Sequence, residues 1–285
     1  MSNKKRSSRK SVWNVFAVAL LVVLGIVGMA SAAEIVVNGS TTVLPFAQIA
    51  VERFAAAHPE VKISISGGGT GNGIKGLIDK TTHIANASRG ISGSEVEQAK
   101  AKGVTPFETT VALDCIVPLV HPSNPVKNLT FAQLKKIYTG EVENWKDVGG
   151  EDARIAVVGR DSSSGTYGTW QELVVEKGDK ERKSRVTARA QVTASSGAML
   201  TTVAGNKYAI GYDGIGYVDK TVKAVSVEGI EASIATAKDN SYPMSRNLYM
   251  YTDGEPSGDI KAFIDYVLSA DGQKIVTDTG FISLR

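Results

Sequence analysis

"GRDSSSGTYGTW", residues 159–170, places an arginine, three serines, two threonines and three glycines within twelve positions. A Gly/Ser-rich segment of this kind is ordinarily a solvated turn or a linker. Three readings are open at the outset: a linker, a loop carrying a nucleophilic serine, or a cradle for an anion. The flanks narrow the choice. "RIAVV" (154–158) ahead of the stretch is apolar and β-branched, whereas "TYGTWQELVVEK" (166–177), which overlaps its end, reads as a helix, so the stretch joins a strand to a helix.

The same junction recurs along the chain. "EIVV" (34–37) leads through "NGSTT" (38–42) into "LPFAQIAVERFAAAH" (44–58), and "VKISIS" (61–66) leads through "GGGTGNG" (67–73) into "GIKGLIDK" (73–80). Ala47, Ala50, Val51 and Phe54 fall at i, i+3, i+4 and i+7, and Ile74, Leu77 and Ile78 repeat the pattern over a shorter span. A weaker fourth example, "TASSGAML" (193–200), precedes "YAIGYDGIGYV" (208–218). Strands alternating with amphipathic helices predict an α/β protein. The intervals differ, so there is no tandem repeat, but recurrence of one device argues against a linker.

A helix N-terminus leaves its first N–H groups unpaired and carries about half a positive charge. Glycine lets an oxyanion approach that backbone, and serine or threonine hydroxyls add donors that rotate to fit. The plain alternative is an N-cap, which needs a single hydroxyl. Ser40, Thr41 and Thr42 in one turn, and Ser162, Ser163, Ser164 and Thr166 in another, exceed what capping uses. For "GGGTGNG" by itself both readings remain open. Arg160 stands four residues before Ser164 and offers a planar fork to two oxygens of one anion. Arg89, in "NASRGIS" (86–92), is a second candidate, with a surface charge as its alternative. Asp114 and Asp161 bear on ligand choice. Monohydrogen phosphate can donate its proton to a carboxylate, and sulfate cannot. Equally, Asp161 could orient Arg160, and Asp114 could cap a strand.

Residues 1–33 read as an export signal: Lys4, Lys5, Arg6, Arg9 and Lys10, an apolar run from Val12 to Ala30, then "ASAA". An uncleaved membrane anchor is the alternative, since the run is long enough to span a bilayer. These five basic residues account for the basic balance, turning the formal +3 of the whole chain into −2 for residues 34–285. That near-neutral remainder has no footprint for nucleic acid or for a lipid headgroup layer. The single cysteine, Cys115, lies in the apolar run "CIVPLV" and reads as a small buried hydrophobe.

Two segments, "TTVALDCIVPLVHPSNP" (109–125) and "SYPMSRNLYMYTDGEPSGDI" (241–260), read as passages between lobes. They predict a discontinuous lobe I of residues 34–114 plus 247–285 and a lobe II of residues 115–246. Enzyme readings find little support. No glycine-rich turn is followed by the Lys-Ser/Thr pair of a nucleotide-binding loop, metal-ligand spacing is absent, and His58, His83 and His121 all lie outside the serine-rich turns.

In order, "GSTTVLP" (39–45), "GGGTGNGIKGL" (67–77), "ASRGIS" (87–92), "RDSSSGT" (160–166), "AIGYDGIGYV" (209–218) and "YPMSRNLYMY" (242–251) resemble the periplasmic phosphate-binding proteins of the PstS family, solute receptors of phosphate-uptake ABC transporters. The resemblance extends over essentially all of residues 34–285. It implies two Rossmann-like α/β lobes joined by two crossing hinge strands, with a dehydrated oxyanion in the interlobe cleft. It places ligand contacts on Thr41 and Thr42 with Ser40 beside them, on Thr70, and on Arg160, Ser164, Gly165 and Thr166. Ser88 or Arg89 stands where some members carry the phosphate-selecting aspartate. In the short members that acid opens the crossing strand, here Asp114, although Cys115 replaces the usual glycine after it. The resemblance further implies a monomeric, extracytoplasmic binding protein, not an enzyme, with no cofactor or metal, that delivers inorganic phosphate to a membrane permease. A receptor for sulfate or molybdate, an exported phosphoester hydrolase using a serine of 162–164, and a surface sensor or adhesin that keeps the fold without transport are the competing readings.

Overall fold

Each apolar, β-branched run named above forms a strand, and each glycine- and hydroxyl-bearing turn after it opens a helix. In the computed structural model, which describes residues 34–285, β1 (Ile35–Gly39) leads to α1 (Leu44–Ala57), β2 (Ile63–Gly67) to α2 (Thr70–Ile78), and β3 (Ile84–Ala87) to α3 (Gly93–Ala101). The leader expected over residues 1–33 lies outside the described residues. The long β4 (Pro106–Val120) follows, then β5 (Asn128–Leu129), α4 (Phe131–Thr139), β6 (Ala156–Arg160) and α5 (Gly165–Trp170). After β7 (Gln191–Thr193), α6 (Ser196–Ala204), β8 (Ala209–Gly214), β9 (Lys223–Ala224), β10 (Ser226–Val227) and α7 (Ile234–Lys238), the chain returns through β11 (Ser245–Asp253) to α8 (Gly258–Leu268) and α9 (Ala270–Asp278).

The spacing that predicts amphipathic helices also names their buried faces. α1 buries Phe46, Ala47, Ala50, Val51 and Phe54, and α2 buries Ile74, Leu77 and Ile78. The helix expected over 166–177 is shorter and less regular. α5 gives way after Trp170 to a π turn, Gln171–Val175, in which Gln171, Val174 and Val175 are all buried. Gln171 has a polar reason to be inside, since its amide donates to the Ser184 carbonyl at 2.7 Å.

One sheet runs through the molecule in the order β2-β1-β3-β11-β4-β8-β6-β7, with β9 also on β4. β1 pairs parallel with β2 and β3, and β6 pairs parallel with β7 and β8. Between these parallel sets lie β11 and β4, antiparallel to each other and to their outer neighbours β3 and β8. β4 is long enough to serve both sides: its first part, from Pro106 to Cys115, pairs with β11, and Ile116 to Val120 pair with β8.

The cores change over along these two strands. Val111, Ala112, Leu248 and Met250 pack with Val37, Phe46, Phe54 and Phe263, whereas Cys115, Ile116, Val117, Tyr242 and Met244 pack with Trp145, Trp170 and Tyr212. Two lobes therefore share one pair of connecting strands, the two-lobe α/β architecture expected from the sequence. The near-terminal Ile282 crosses back to the second core and bridges Leu113. In that core Trp170 stacks on Tyr212, with ring centroids 4.2 Å apart and planes 5° from parallel, an arrangement worth about 0.5–1.5 kcal/mol beyond area burial. The Tyr212 hydroxyl accepts the Arg160 N–H at 3.3 Å, so the same packing braces the end of β6. No helix among the described residues is long and apolar enough to cross a membrane.

Candidate functional site

Four turns meet where the two lobes face each other. The first follows β1. Gly39 has a φ of +137°, and a Cβ there would lie 2.2 Å from the Asn86 carbonyl oxygen, so only glycine lets β1 end against β3. Ser40, Thr41 and Thr42 are all buried. The N-cap of α1 is Val43, with no side-chain cap bond, so these hydroxyls are not used as caps. Ser40 Oγ instead accepts the Thr42 N–H at 3.1 Å, which tightens the turn.

The second turn opens α2, whose N-cap Gly69 likewise offers no side-chain cap. Thr70 is fully buried, and its Oγ1 accepts the Ser88 N–H at 3.1 Å and lies 3.4 Å from Ser88 Oγ. The third is "RDSSSGT". Ser164 does cap α5, accepting the Tyr167 N–H at 3.2 Å, so one hydroxyl of this turn has the plain structural use. Ser163 binds the opposite lobe: its carbonyl accepts the Gly71 N–H at 2.8 Å and its hydroxyl donates to the Gly68 carbonyl at 3.1 Å. A Cβ on Gly165 would lie 2.4 Å from Thr70 Oγ1 and 2.6 Å from Ser88 Oγ, so a side chain there would push the lobes apart. Thr166 Oγ1 meets Thr42 Oγ1 at 3.0 Å.

Arg160 is 3% exposed and donates from every side-chain nitrogen: Nε to the Thr193 carbonyl at 3.3 Å, Nη1 to Ser196 Oγ at 3.1 Å, and Nη2 to Thr41 Oγ1 at 3.1 Å. It thus joins its own lobe to the turn after β1. The fourth turn closes the same side, with the Ser196 N–H directed at Thr41 Oγ1 at 3.3 Å and the Tyr217 hydroxyl donating to the Thr41 carbonyl at 2.6 Å.

A second buried guanidinium, which the sequence reading did not single out, is Arg246. The β4–β11 register sets it opposite Asp114. Its Nε and Nη2 both donate to Asp114 Oδ2, at 2.9 and 2.6 Å, while Nη1 donates to the Ser88 carbonyl at 2.9 Å and Nη2 to Thr166 Oγ1 at 3.1 Å. Asp114 Oδ1 accepts the Ile215 N–H at 3.0 Å. Burial pushes this carboxyl upward, with the Arg246 guanidinium pulling against it. Asp213 is the other missed acid. Its Oδ1 accepts Ser196 Oγ at 3.0 Å and the Gly214 N–H at 2.8 Å, and Arg160 Nη1 stands 3.7 Å from Oδ2. Both residues lie in motifs quoted above. A lone acid ending the apolar run "AIGYD" was the available signal for Asp213; Arg246 had none until the register was known.

Other nominated residues lie differently. Arg89 donates from Nη1 and Nη2 to Glu95 at 2.8 Å each and from Nη1 to the Gly90 carbonyl at 3.0 Å, so its charge is engaged at the edge of the cluster. Although burial pushes Glu95 up, that pairing and the Ser92 N–H hold it below the usual carboxylate range. Asp161 Oδ1 accepts the Ser163 N–H at 2.9 Å and shares the single Ser163 hydroxyl hydrogen with the Gly68 carbonyl, which orients the turn. Burial pushes the Cys115 thiol up to about 11, away from reactivity. The histidines sit elsewhere: His83 Nδ1 accepts the Val36 N–H, His121 pairs with Ser123, and His58 stacks on Phe54. A serine of 162–164 therefore has no histidine base bonded to it. Among the described residues no group of His, Cys, Asp and Glu could hold a metal ion.

The cluster is thus a formally neutral cage of two guanidiniums, two carboxylates and converging hydroxyls. Desolvation raises Asp213 from 3.8 to about 6 against the pull of Arg160. Because the folded pKa lies above the unfolded one, the folded state holds this proton more tightly, and the associated stability is present below pH 3.8 and lost as pH rises through about 6. Relative to the parent, Asp213→Asn should therefore gain stability between about pH 4 and about pH 7, by on the order of 3 kcal/mol. Urea unfolding across that range tests this, and a stability difference that does not vary with pH refutes it.

Comparison with known proteins gives the family. A PBP superfamily domain matches residues 28–271. The phosphate-binding protein PstS of Borreliella burgdorferi is 32% identical over 255 residues, 87% of this chain and 89% of that protein. The chain belongs to the PstS family. The PstS of Bacillus subtilis is likewise 32% identical, over 87% of this chain and 80% of its own length. Among solved structures, a protein of Clostridium perfringens assigned to phosphate ABC transport and solved with bound phosphate is 38% identical, with a TM-score of 0.80 over 88% of this chain and all of its own. An ABC-type phosphate transport receptor of Vibrio cholerae is 34% identical, with a TM-score of 0.71 over 87% of this chain and 99% of its own. The PstS-family relatives are named as binding proteins, in line with the expectation that this chain is not an enzyme.

Proposed function

We propose that this PstS-family chain binds inorganic phosphate outside the cytoplasm and delivers it to the permease of an ABC transporter. The observation that carries the reading is the convergence, from opposite lobes, of Thr41 on Arg160, Thr42 on Thr166 and Thr70 against Gly165 in a buried, formally neutral cage. A tetrahedral dianion needs many donors and little net charge to be held without water, and hydroxyls with two internally paired guanidiniums meet that need. Ser164 and Gly165 complete the third turn, Ser40 and Ser88 brace the threonines, and Asp114 holds Arg246 in place. Arg89 belongs to the outer edge of the site.

The lobes we assign are residues 34–114 with 247–285, and residues 115–246, hinged at β4 and β11. A ligand gripped by both favours the closed arrangement by its differential affinity for it. The chain works as a monomer, and the permease reads the closed form. Isothermal calorimetry on residues 34–285 should give saturable binding of phosphate at one site per chain; absence of heat, confirmed by failure to retain radiolabelled phosphate on dialysis, refutes the proposal.

A further inference from the structure

We propose that Asp213, rather than Asp114 or Asp161, is the carboxylate through which this protein separates protonated from fully deprotonated oxyanions. The assignment rests on the phosphate reading above. Three aspartates stand near the cluster, and they differ in what their oxygens already do. Asp161 is tied to Ser163 within its own turn and is partly exposed. Asp114 receives two N–H groups from Arg246 on Oδ2 and the Ile215 N–H on Oδ1. Asp213 is fully buried, uses Oδ1 for Ser196 and Gly214, and has no hydrogen-bond partner on Oδ2 among the described residues.

A buried carboxylate oxygen without a donor is costly, so native structures rarely keep one without a use. Asp213 stands one residue before the end of β8, where Arg160 and Ser196, which both contact it, also both reach Thr41. An anion that brings its own O–H can donate to Oδ2 and satisfy it. Sulfate brings no hydrogen, so it would meet an unpaired negative charge and would compete with Asp213 for the charge of Arg160. The groups that face Asp213 are Arg160 on β6, Ser196 on α6, Arg246 on β11 and Tyr217 after β8, and Asp114 on β4 faces the same Tyr217. Of these only Asp114 is another carboxylate, and Arg246 holds it through both Nε and Nη2. Burial pushing Asp213 up to about 6 brings its titration into an accessible range.

Sulfate provides the test, because it does not itself titrate at mild pH. Calorimetry with phosphate and sulfate, the weaker ligand read by competition, is run on the parent, Asp213→Asn and Asp114→Asn at about pH 5 and about pH 8. In the parent, sulfate should bind at least about tenfold more tightly at the lower pH, as Asp213 takes up a proton. Asp213→Asn should bind sulfate at least about tenfold more tightly than the parent at the higher pH and lose the pH dependence. The parent's own sulfate profile carries the test if the variant does not fold. An Asp213→Asn protein that weakens both anions by one factor, leaving their ratio unchanged, would show that Asp213 merely positions Arg160 and would overturn the assignment. So would sulfate affinity in the parent that is the same at both pH values, or a gain of sulfate binding confined to Asp114→Asn. A parent that binds no phosphate refutes the underlying reading as well, which separates the two failures.

Discussion

Replacing Arg246 by alanine is expected to destabilise the protein by about 3–5 kcal/mol, the range for breaking a buried ion pair by removing one member. Its side chain is 6% exposed and that of Asp114 is 0%, so deletion of the guanidinium leaves a carboxylate inside the protein with only backbone N–H groups, those of Ile215 and Cys115, to compensate it. The Ser88 carbonyl and Thr166 Oγ1 lose donors as well. The damage falls where β4 and β11 join the lobes, so both cores feel it. Urea unfolding should show the midpoint falling sharply at neutral pH. The loss should shrink on acidification, because a protonated Asp114 no longer carries the stranded charge. An Asp114→Leu/Arg246→Met double variant separates charge from fold: with both charges gone, it should recover most of the stability while losing phosphate affinity. A single variant that costs under about 1 kcal/mol would mean the pair is not the buried tie between strands that its geometry describes.

Arg160→Ala should weaken phosphate binding by more than about 1.5 kcal/mol, over tenfold in Kd, as charge-assisted hydrogen bonds of this class require. The guanidinium links Thr41 of one lobe to Thr193 and Ser196 of the other, so on the function proposed above its loss removes both a donor to the anion and a contact that favours closure. It also leaves Asp213 without its nearest cation. Arg160→Lys keeps the charge but cannot reproduce three donations in fixed planar directions, and should recover only part of the affinity. Calorimetry with phosphate reads both variants, and unchanged affinity in Arg160→Ala would remove Arg160 from the site.

The features legible in the sequence were those with local causes. The run "TTVALDCIVPLVHPSNP" contains most of β4, which extends three residues ahead of it and stops before His121, and "SYPMSRNLYMYTDGEPSGDI" contains all of β11. The turns after β1, β2 and β6 were recognisable because glycine next to several hydroxyls at a helix start is a short-range pattern. What escaped depended on register. Arg246 and Asp114 are 132 positions apart, and Ser196 and Thr41 are 155 apart. No periodicity connects such residues, because side-chain spacing reports which face of an element is buried and not which residue of another element it meets. Capping shows the same division. Ser164 and Ser195 follow the N-cap rule, whereas the turns after β1 and β2 leave their hydroxyls out of the caps, a difference that backbone geometry decides.

The stretch "GRDSSSGTYGTW" marks the boundary between the two kinds of knowledge. By itself the sequence determined that it opens a helix, that Arg160 and a surplus of hydroxyls share one turn, and that comparable turns exist elsewhere in the chain, since all of these follow from spacing and residue type. Tertiary structure alone decided that Ser163 grips the backbone of the other lobe, that Gly165 lies against Thr70 and Ser88, and which buried carboxylate oxygen lacks a partner. Burial and hydrogen-bond satisfaction arise from contacts between distant segments, and those contacts exist only once β4 and β11 have brought the two lobes face to face.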